Sequence, residues 1–231
     1  AVVDSGCRYG IICTEHLSGN GFNGKNGETN WKIRYQGFAK AAAGAEFVWT
    51  LFPKDVDQAR KHAPASHLEL GFVPSLVVDD NVEPDFDFAF FGKRTKDRMA
   101  LLCELQEQGY RCAIPCGFQP RPHYERLMRR SAVHLDAASY NNIPMPSVAK
   151  IGRAIHARRS VAIGKTKYTT EPASFFPQHR RGAFVDFAIK RLGTWREDAD
   201  YAFDELTKRP MTECLTRAFD EVSNAKDRRA A

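Results

Sequence analysis

The stretch that most constrains this chain runs from Asp85 to Lys165, where short apolar runs alternate with helical segments. Asp87-Phe88-Ala89-Phe90-Phe91-Gly92 reads as a short buried strand closed by glycine. Lys93-Arg94-Thr95-Lys96-Asp97-Arg98 follows as a basic turn and helix start, and Met99 to Gln108 continues that helix. Tyr110 to Ile114, Val133 to Ala137 and Ser160 to Ile163 are the next apolar runs, with a Pro-rich turn and a helix before the last. Strands alternating with helices in this way predict βαβ units, a parallel sheet and an α/β fold. Ligands of such sheets bind outside the carboxyl ends of the strands, which puts the loops after Phe91, Ala137 and Ile163 on one rim.

The chain has 231 residues, enough for one large domain or two small ones. Its composition, 43% hydrophobic and 27% charged, is that of a globular protein with a sizeable core. No apolar run approaches the ~18 residues that span a bilayer, so no transmembrane helix is expected, and no signal peptide pattern is visible. Cys7, Cys13, Cys103, Cys112, Cys116 and Cys214 are scattered, mostly inside apolar runs. Cys112 and Cys116 have no second pair or His cluster to complete a zinc site, so free thiols in a reducing, cytoplasmic setting are expected. The formal charge of +6 suits an anionic ligand, whether nucleotide, phospholipid or nucleic acid, and does not by itself select nucleic acid.

Ahead of the alternating region, Tyr9 to Cys13 reads as a strand ending at Thr14-Glu15-His16. Residues 18–30 are rich in Gly and Asn and read as a loop. Trp31 to Ala43 is helical, with Trp31, Tyr35, Phe38 and Ala42 on one face. Glu46 to Thr50 is a strand, Pro53 to His62 a polar helix opened by Pro, and Leu68 to Pro74 a strand leading into a turn. The acidic Val78 to Pro84 reads as a linker. It sets the expected divisions at 1–83, 84–209 and a closing helix and basic tail at 210–231, with Lys226 to Ala231 frayed. Gly182 to Asp186 adds a strand signal, Phe187 to Leu192 and Arg196 to Lys208 read as helices, and Pro210 opens another over Met211 to Val222.

Several segments carry a family resemblance. Leu68-Glu69-Leu70-Gly71-Phe72-Val73-Pro74-Ser75-Leu76 resembles the LGYVPSL hinge approach of GT-B glycosyltransferases of the group 1 type. Asp85 to Gly92 is similar to their DVDVLFYG strand, which opens the C-terminal domain. Tyr124 to Asp136 resembles the family's LIARAKVVLNLH segment, and Lys150 to Ile163 resembles its RI…LL…RRFVVSE segment. The four lie in family order, and the resemblance covers roughly residues 9 to 222. It implies Rossmann-like parallel sheets in a GT-B-like two-domain arrangement, with an N-terminal domain too short to be complete unless another chain or a second copy completes it. Two departures stand out. The family's carboxylates before and after the RI segment align near Ser147 and near Gly164 or Lys165, and neither place is acidic.

The resemblance implies transfer of a sugar from a nucleotide-sugar donor, UDP- or GDP-linked, without a metal cofactor. Positive side chains and helix N-termini then hold the diphosphate. Gly92 permits close backbone approach, Arg94 suits bidentate phosphate binding and Lys93 serves as a point charge. Tyr140, Asn141 and the following prolines build a turn, Ser147 is placed to cap the next helix, and Lys150 sits one turn in. Lys165 and Thr166 stand where ribose or phosphate could be met in place of the missing carboxylate. For the acceptor side, the resemblance points to Glu15, and a carboxylate or a histidine at Glu15 and His16 can take a hydroxyl proton. The acceptor stays open among glycan, lipid-linked sugar, protein and nucleobase. His123, His134 and His156 show no metal-ligand spacing and are read as structural. The other expectation, from a different class, is a non-catalytic GT-B-like binding or scaffold subunit.

Overall fold

The computed structural model describes residues 6–19, 21–23, 29–78, 82–115, 117, 120–137, 145–164, 166, 168–179 and 184–230, with side chains to Asn224. The chain forms two compact units, one of Ala1–Gly71 with Met211–Ala231 and one of Phe72–Pro210. The crossing therefore comes ahead of the acidic linker, and the closing helix returns to the first unit instead of standing apart.

In the first unit, strands β1 (Gly10–Cys13), β4 (Phe47–Thr50) and β5 (Ala65–His67) form a parallel sheet in the order β1-β4-β5. A small antiparallel ladder pairs β2 (Leu17–Ser18) with β3 (Gly21–Phe22), so part of the Gly/Asn-rich loop is a hairpin. Helix α1 (Thr29–Ala43) presents Trp31, Tyr35, Phe38 and Ala42 to the core at the expected three- and four-residue spacing. The polar helix expected over Pro53 to His62 is shorter: a 3-10 turn at Pro53–Asp55 runs into α2 (Val56–Ala59). Strand alternation splits β4 between two partners. Val48 enters the core beneath α1, while Trp49 meets Phe219 of α8 (Met211–Ala230) with ring centroids 4.6 Å apart. Ser66 Oγ also donates to Ala218 O of α8 at 2.9 Å. Helix α8 continues to Ala230, through the segment expected to fray.

The strand expected over Leu68 to Pro74 lies three residues earlier, at β5. Leu68 N–H still reaches Thr50 O at 2.9 Å, but the next residues leave the ladder, and Pro74 opens a 3-10 turn at Pro74–Leu76. The alternating Leu68 and Phe72 serve packing instead. Phe72 stacks on His156 at 5.4 Å, and Val73 N–H donates to His156 Nε2 at 3.0 Å.

The second unit is a four-stranded parallel sheet in the order β7-β6-β8-β9, with β6 Phe86–Ala89, β7 Cys112–Ala113, β8 Ser131–Asp136 and β9 Ser160–Ile163. Helices α3 (Lys96–Glu107) and α6 (Phe184–Gly193) cover one face through Leu102, Leu105, Val185 and Ala188. The other face is covered by α4 (Arg121–Arg129), α5 (Val148–His156) and α7 (Trp195–Thr207), through Met128, Ile151, Ile155, Ala202, Phe203 and Leu206. Both faces are covered, so β9 is buried throughout and β8 in all but Asp136. That is why these strands show as continuous apolar runs. Each fully buried ring or branched side chain, such as Phe88 or Val133, contributes roughly 1.5–3 kcal/mol of transfer free energy. Phe184 to Asp186, expected in a strand, form the first turn of α6, because Val185 and Ala188 reach the core at a three-residue spacing that only a helix provides.

His134 lies inside β8, stacked on Phe91 at 5.3 Å, with Nε2 donating weakly to Met128 O at 3.5 Å. Burial pushes its pKa down to about 4, and burial likewise lowers that of His156. Both rings are neutral in the fold, whereas in the unfolded chain they take protons near pH 6.5. Stability is therefore full above about pH 6.5 and falls as pH drops toward 4, His134 alone accounting for about 3 kcal/mol. Urea unfolding at pH 7.5 and 4.5 should show the lower midpoint in acid, and His134→Leu should flatten the dependence. An unchanged slope in that variant would remove His134 as the cause.

Candidate functional site

The carboxyl ends of β6, β8 and β9 make one rim of the second unit. After β6 the backbone passes through Phe90 and Phe91 to Gly92, and the lack of a side chain at Gly92 matters for space. A Cβ there would stand 3.0 Å from Phe90 Cζ, 3.4 Å from Arg98 Nη1 and 3.6 Å from Lys150 Nζ. Two cations thus converge on one stretch of bare backbone. Each is the third residue of its helix, Arg98 in α3 and Lys150 in α5, so both stand where helix N-termini present unpaired N–H groups.

Backbone carbonyl oxygens help to hold the two cations in place. Arg98 donates through Nε and Nη2 to Ala137 O, at 2.9 Å from Nε, and through Nη1 to Lys93 O at 3.1 Å. Its guanidinium lies over the Phe90 ring at 5.0 Å. Lys150 Nζ donates to Phe91 O at 2.7 Å. Although the residue as a whole is exposed, its ammonium is partly removed from water. Its pKa is lowered chiefly by that desolvation, against the pull of Asp136 and with a further push from Arg98. Asp136, at the end of β8, accepts the Ser147 N–H at 2.9 Å. An anion at Gly92 would meet two fixed charges, one of them already partly desolvated, beside two helix starts.

The structure brings Gly92 and Lys150 together and joins Ser147 to them through Asp136. Ser147 takes the N-cap position of α5 without a side-chain cap bond, and its own backbone N–H is held by the Asp136 carboxylate. Lys93 is exposed, and it is its backbone carbonyl that meets Arg98. Arg94 turns the other way, donating through Nη2 to Ile114 O beyond β7. Thr166 Oγ1 donates to Gln178 Oε1 at 2.9 Å, two residues past Gly164, whose N–H reaches Asp136 O at 3.1 Å. Tyr140, Asn141 and Lys165 lie outside the described residues. Arg98 and Asp136 were not singled out in the sequence. Arg98 was legible only as one of several basic residues, and Asp136 only as the acid closing an apolar run.

In the first unit, Glu15 and His16 part company. Glu15 accepts from Asn23 Nδ2 at 2.6 Å and from Arg34 Nη2 at 3.0 Å, local bonds that tie down the hairpin. His16 is 6% exposed and its Nδ1 stands 2.7 and 3.0 Å from the two oxygens of Asp55, itself 1% exposed. Asp55 also accepts the Leu17 N–H at 2.7 Å. An ionised carboxylate only accepts, so Nδ1 carries the hydrogen and Nε2 is left as the basic nitrogen. His16 lines an open depression of about 410 Å³ that also includes Ser18, Lys54, Gln58 and Lys61. Nothing in the sequence marked Asp55, which lies inside the Pro-opened 3-10 turn.

Among the described residues no group of three His, Cys, Asp or Glu could hold a metal ion. Cys13, Cys103 and Cys112 are free thiols, and burial raises the Cys13 thiol to about 12 and Cys112 to about 11. No described helix is long and apolar enough to cross a membrane.

Parallel sheets of this kind, flanked by helices, define an α/β, Rossmann-like fold. Among solved structures the chain is similar to that of TarM, a GT-B glycosyltransferase, with a TM-score of 0.54 at 10% identity. The likeness covers 96% of this chain and 52% of TarM, so the chain spans about half of TarM's length. No protein-family model and no curated protein sequence matches the chain.

Proposed function

We propose that the chain is a glycosyltransferase that takes a nucleotide-sugar donor, UDP- or GDP-linked, on its second unit. The observation that carries this reading is the convergence of Arg98 and Lys150 on the Gly92 backbone, on the ligand-binding rim of a glycosyltransferase-like fold. Loss of the nucleotide leaves negative charge on its diphosphate. The two cations and two helix N-termini stabilise that charge as it develops, which is the part a metal ion plays elsewhere. In this reading His16, whose Nδ1 is held by Asp55, is the group that takes a proton from an acceptor hydroxyl.

The test is release of nucleoside diphosphate from a panel of UDP- and GDP-sugars, followed with and without Mg²⁺. The reading expects release from one base class, independent of Mg²⁺, and Gly92→Val should abolish it by filling the space before the cations. A second reading, a donor-binding subunit without turnover, is favoured by Ser147 and by Gly164 or Lys165, which stand near where the resembling family carries its carboxylates. Saturable binding of a nucleoside diphosphate with no release from any nucleotide sugar would establish that reading instead.

A further inference from the structure

A carboxylate on an anion-binding rim repels the ligand it stands beside, so the place of Asp136 calls for a reason other than ligand contact. It is the last residue of β8, and its neighbours fix it. It lies opposite Ile163 in the ladder with β9, and its main-chain oxygen accepts the Gly164 N–H at 3.1 Å. Its Oδ2 accepts the Ser147 N–H at 2.9 Å. Ser147 O in turn accepts the Lys150 N–H at 2.9 Å and the Ile151 N–H at 3.1 Å. The carboxylate thus ties down the first turn of α5, the turn that carries Lys150. On the inner side Asp136 and Lys150 line one small cavity together with Phe91 and His134.

Two influences work against a proton on Lys150 Nζ. The group is partly withdrawn from water, and Arg98, a permanent cation, converges on the same Gly92 backbone. Among the described residues, the charged and titratable groups that bear on it are Asp136 and His134 from β8 and Arg98 from α3. His134 is neutral above about pH 4, and Arg153 of the same helix is turned to Glu125. Of these groups Asp136 is the one that favours the charged amine. An amine that gave up its proton near neutral pH would leave the cradle with a single cation.

We propose that Asp136 is a positioning residue of the donor cradle, which fixes the start of α5 and holds Lys150 in its ammonium form without touching the nucleotide. Its effect on binding rests on the donor reading above, whereas the proton on Lys150 can be followed with no nucleotide present.

The test follows Lys150 first. In the full chain labelled with ¹³C-lysine, the Lys150 Cε resonance, assigned by its absence in Lys150→Arg, is titrated by NMR without nucleotide. Asp136→Asn keeps an oxygen for the Ser147 N–H and removes the charge, so Lys150 should lose its proton at a lower pH in this variant than in the parent. Isothermal titration with UDP and GDP then compares the two proteins, the base and the phosphates titrating alike in both. At pH 9.5 Asp136→Asn should bind the diphosphate about three- to tenfold more weakly than the parent, and at pH 7.0 within about twofold of it. In Lys150→Arg, whose guanidinium stays charged, adding Asp136→Asn should bring no alkaline loss. Asp136→Ala removes the oxygen as well and should weaken binding at pH 7.0 too. A Lys150 titration that Asp136→Asn leaves unmoved, or an equal loss of affinity in that variant at both pH values, would overturn the inference. A Lys150 titration moved to lower pH in a chain whose parent binds neither UDP nor GDP would uphold the hold on the proton and contradict the donor reading alone.

Discussion

Lys150→Ala should weaken binding of the donor's nucleoside diphosphate about 10- to 100-fold, the loss expected for a charge-assisted hydrogen bond to phosphate of about 1.5–3 kcal/mol. The fold should hardly respond. Among the described residues Lys150 Nζ has one acceptor, Phe91 O, and its partial desolvation already works against the charged form. Removing the ammonium relieves that penalty and exposes one carbonyl to water. Arg94→Ala is the informative contrast. Its guanidinium is turned to Ile114 O, so nucleotide affinity should stay within about twofold of the parent. Isothermal titration of the three proteins reads both numbers. An Arg94→Ala loss as large as that of Lys150→Ala would move the phosphate from the Arg98/Lys150 cradle to the turn at Lys93 and Arg94.

His16→Gln should cut turnover by about 10²- to 10⁴-fold, the usual contribution of a positioned general base. Its effect should fall on kcat, with the dissociation constant for nucleoside diphosphate unchanged, because His16 lies in the first unit and the cradle in the second. Gln can still donate to Asp55, so the buried carboxylate keeps a partner and the unit should stay folded. Asp55→Asn provides the companion measurement. It disturbs the oxygen pair that holds His16 Nδ1 and the Leu17 N–H, and should lower kcat by acting through His16. Glu15→Gln should have little effect on turnover, since that carboxylate serves Asn23 and Arg34. Full kcat in His16→Gln would take the histidine out of the chemistry.

Legibility followed burial. β8 and β9 stood out in the sequence because helices cover both faces of their sheet, which makes most of their residues apolar or small, and α1 stood out because one face of it repeats at three- and four-residue spacing. Leu68 to Phe72 misled because alternation alone does not reveal whether the backbone is paired. Leu68 packs in the first unit, and Phe72 opens the second by stacking on His156. Phe184 to Asp186 misled because a short apolar run fits a strand or a buried helix equally well.

The site was half visible for a similar reason. Gly92 and Lys150 sit at element boundaries whose positions the pattern fixes. Arg98 finds its Ala137 carbonyl 39 residues away, and His16 finds Asp55 at the same separation, through packing that no local spacing encodes.

The central claim is that the second unit binds a nucleoside diphosphate, and a thermal-shift panel of the full chain against UDP, GDP, ADP, CDP and dTDP, without metal and then with Mg²⁺, tests it most directly. At 100 times its dissociation constant the right ligand stabilises the folded state by about 2.7 kcal/mol. For a chain of this size that is a rise of roughly 5–10 °C. The account predicts such a rise with UDP or GDP in the absence of metal, lost in Lys150→Ala. No rise with any of the five, or a rise that Lys150→Ala leaves intact, would contradict it.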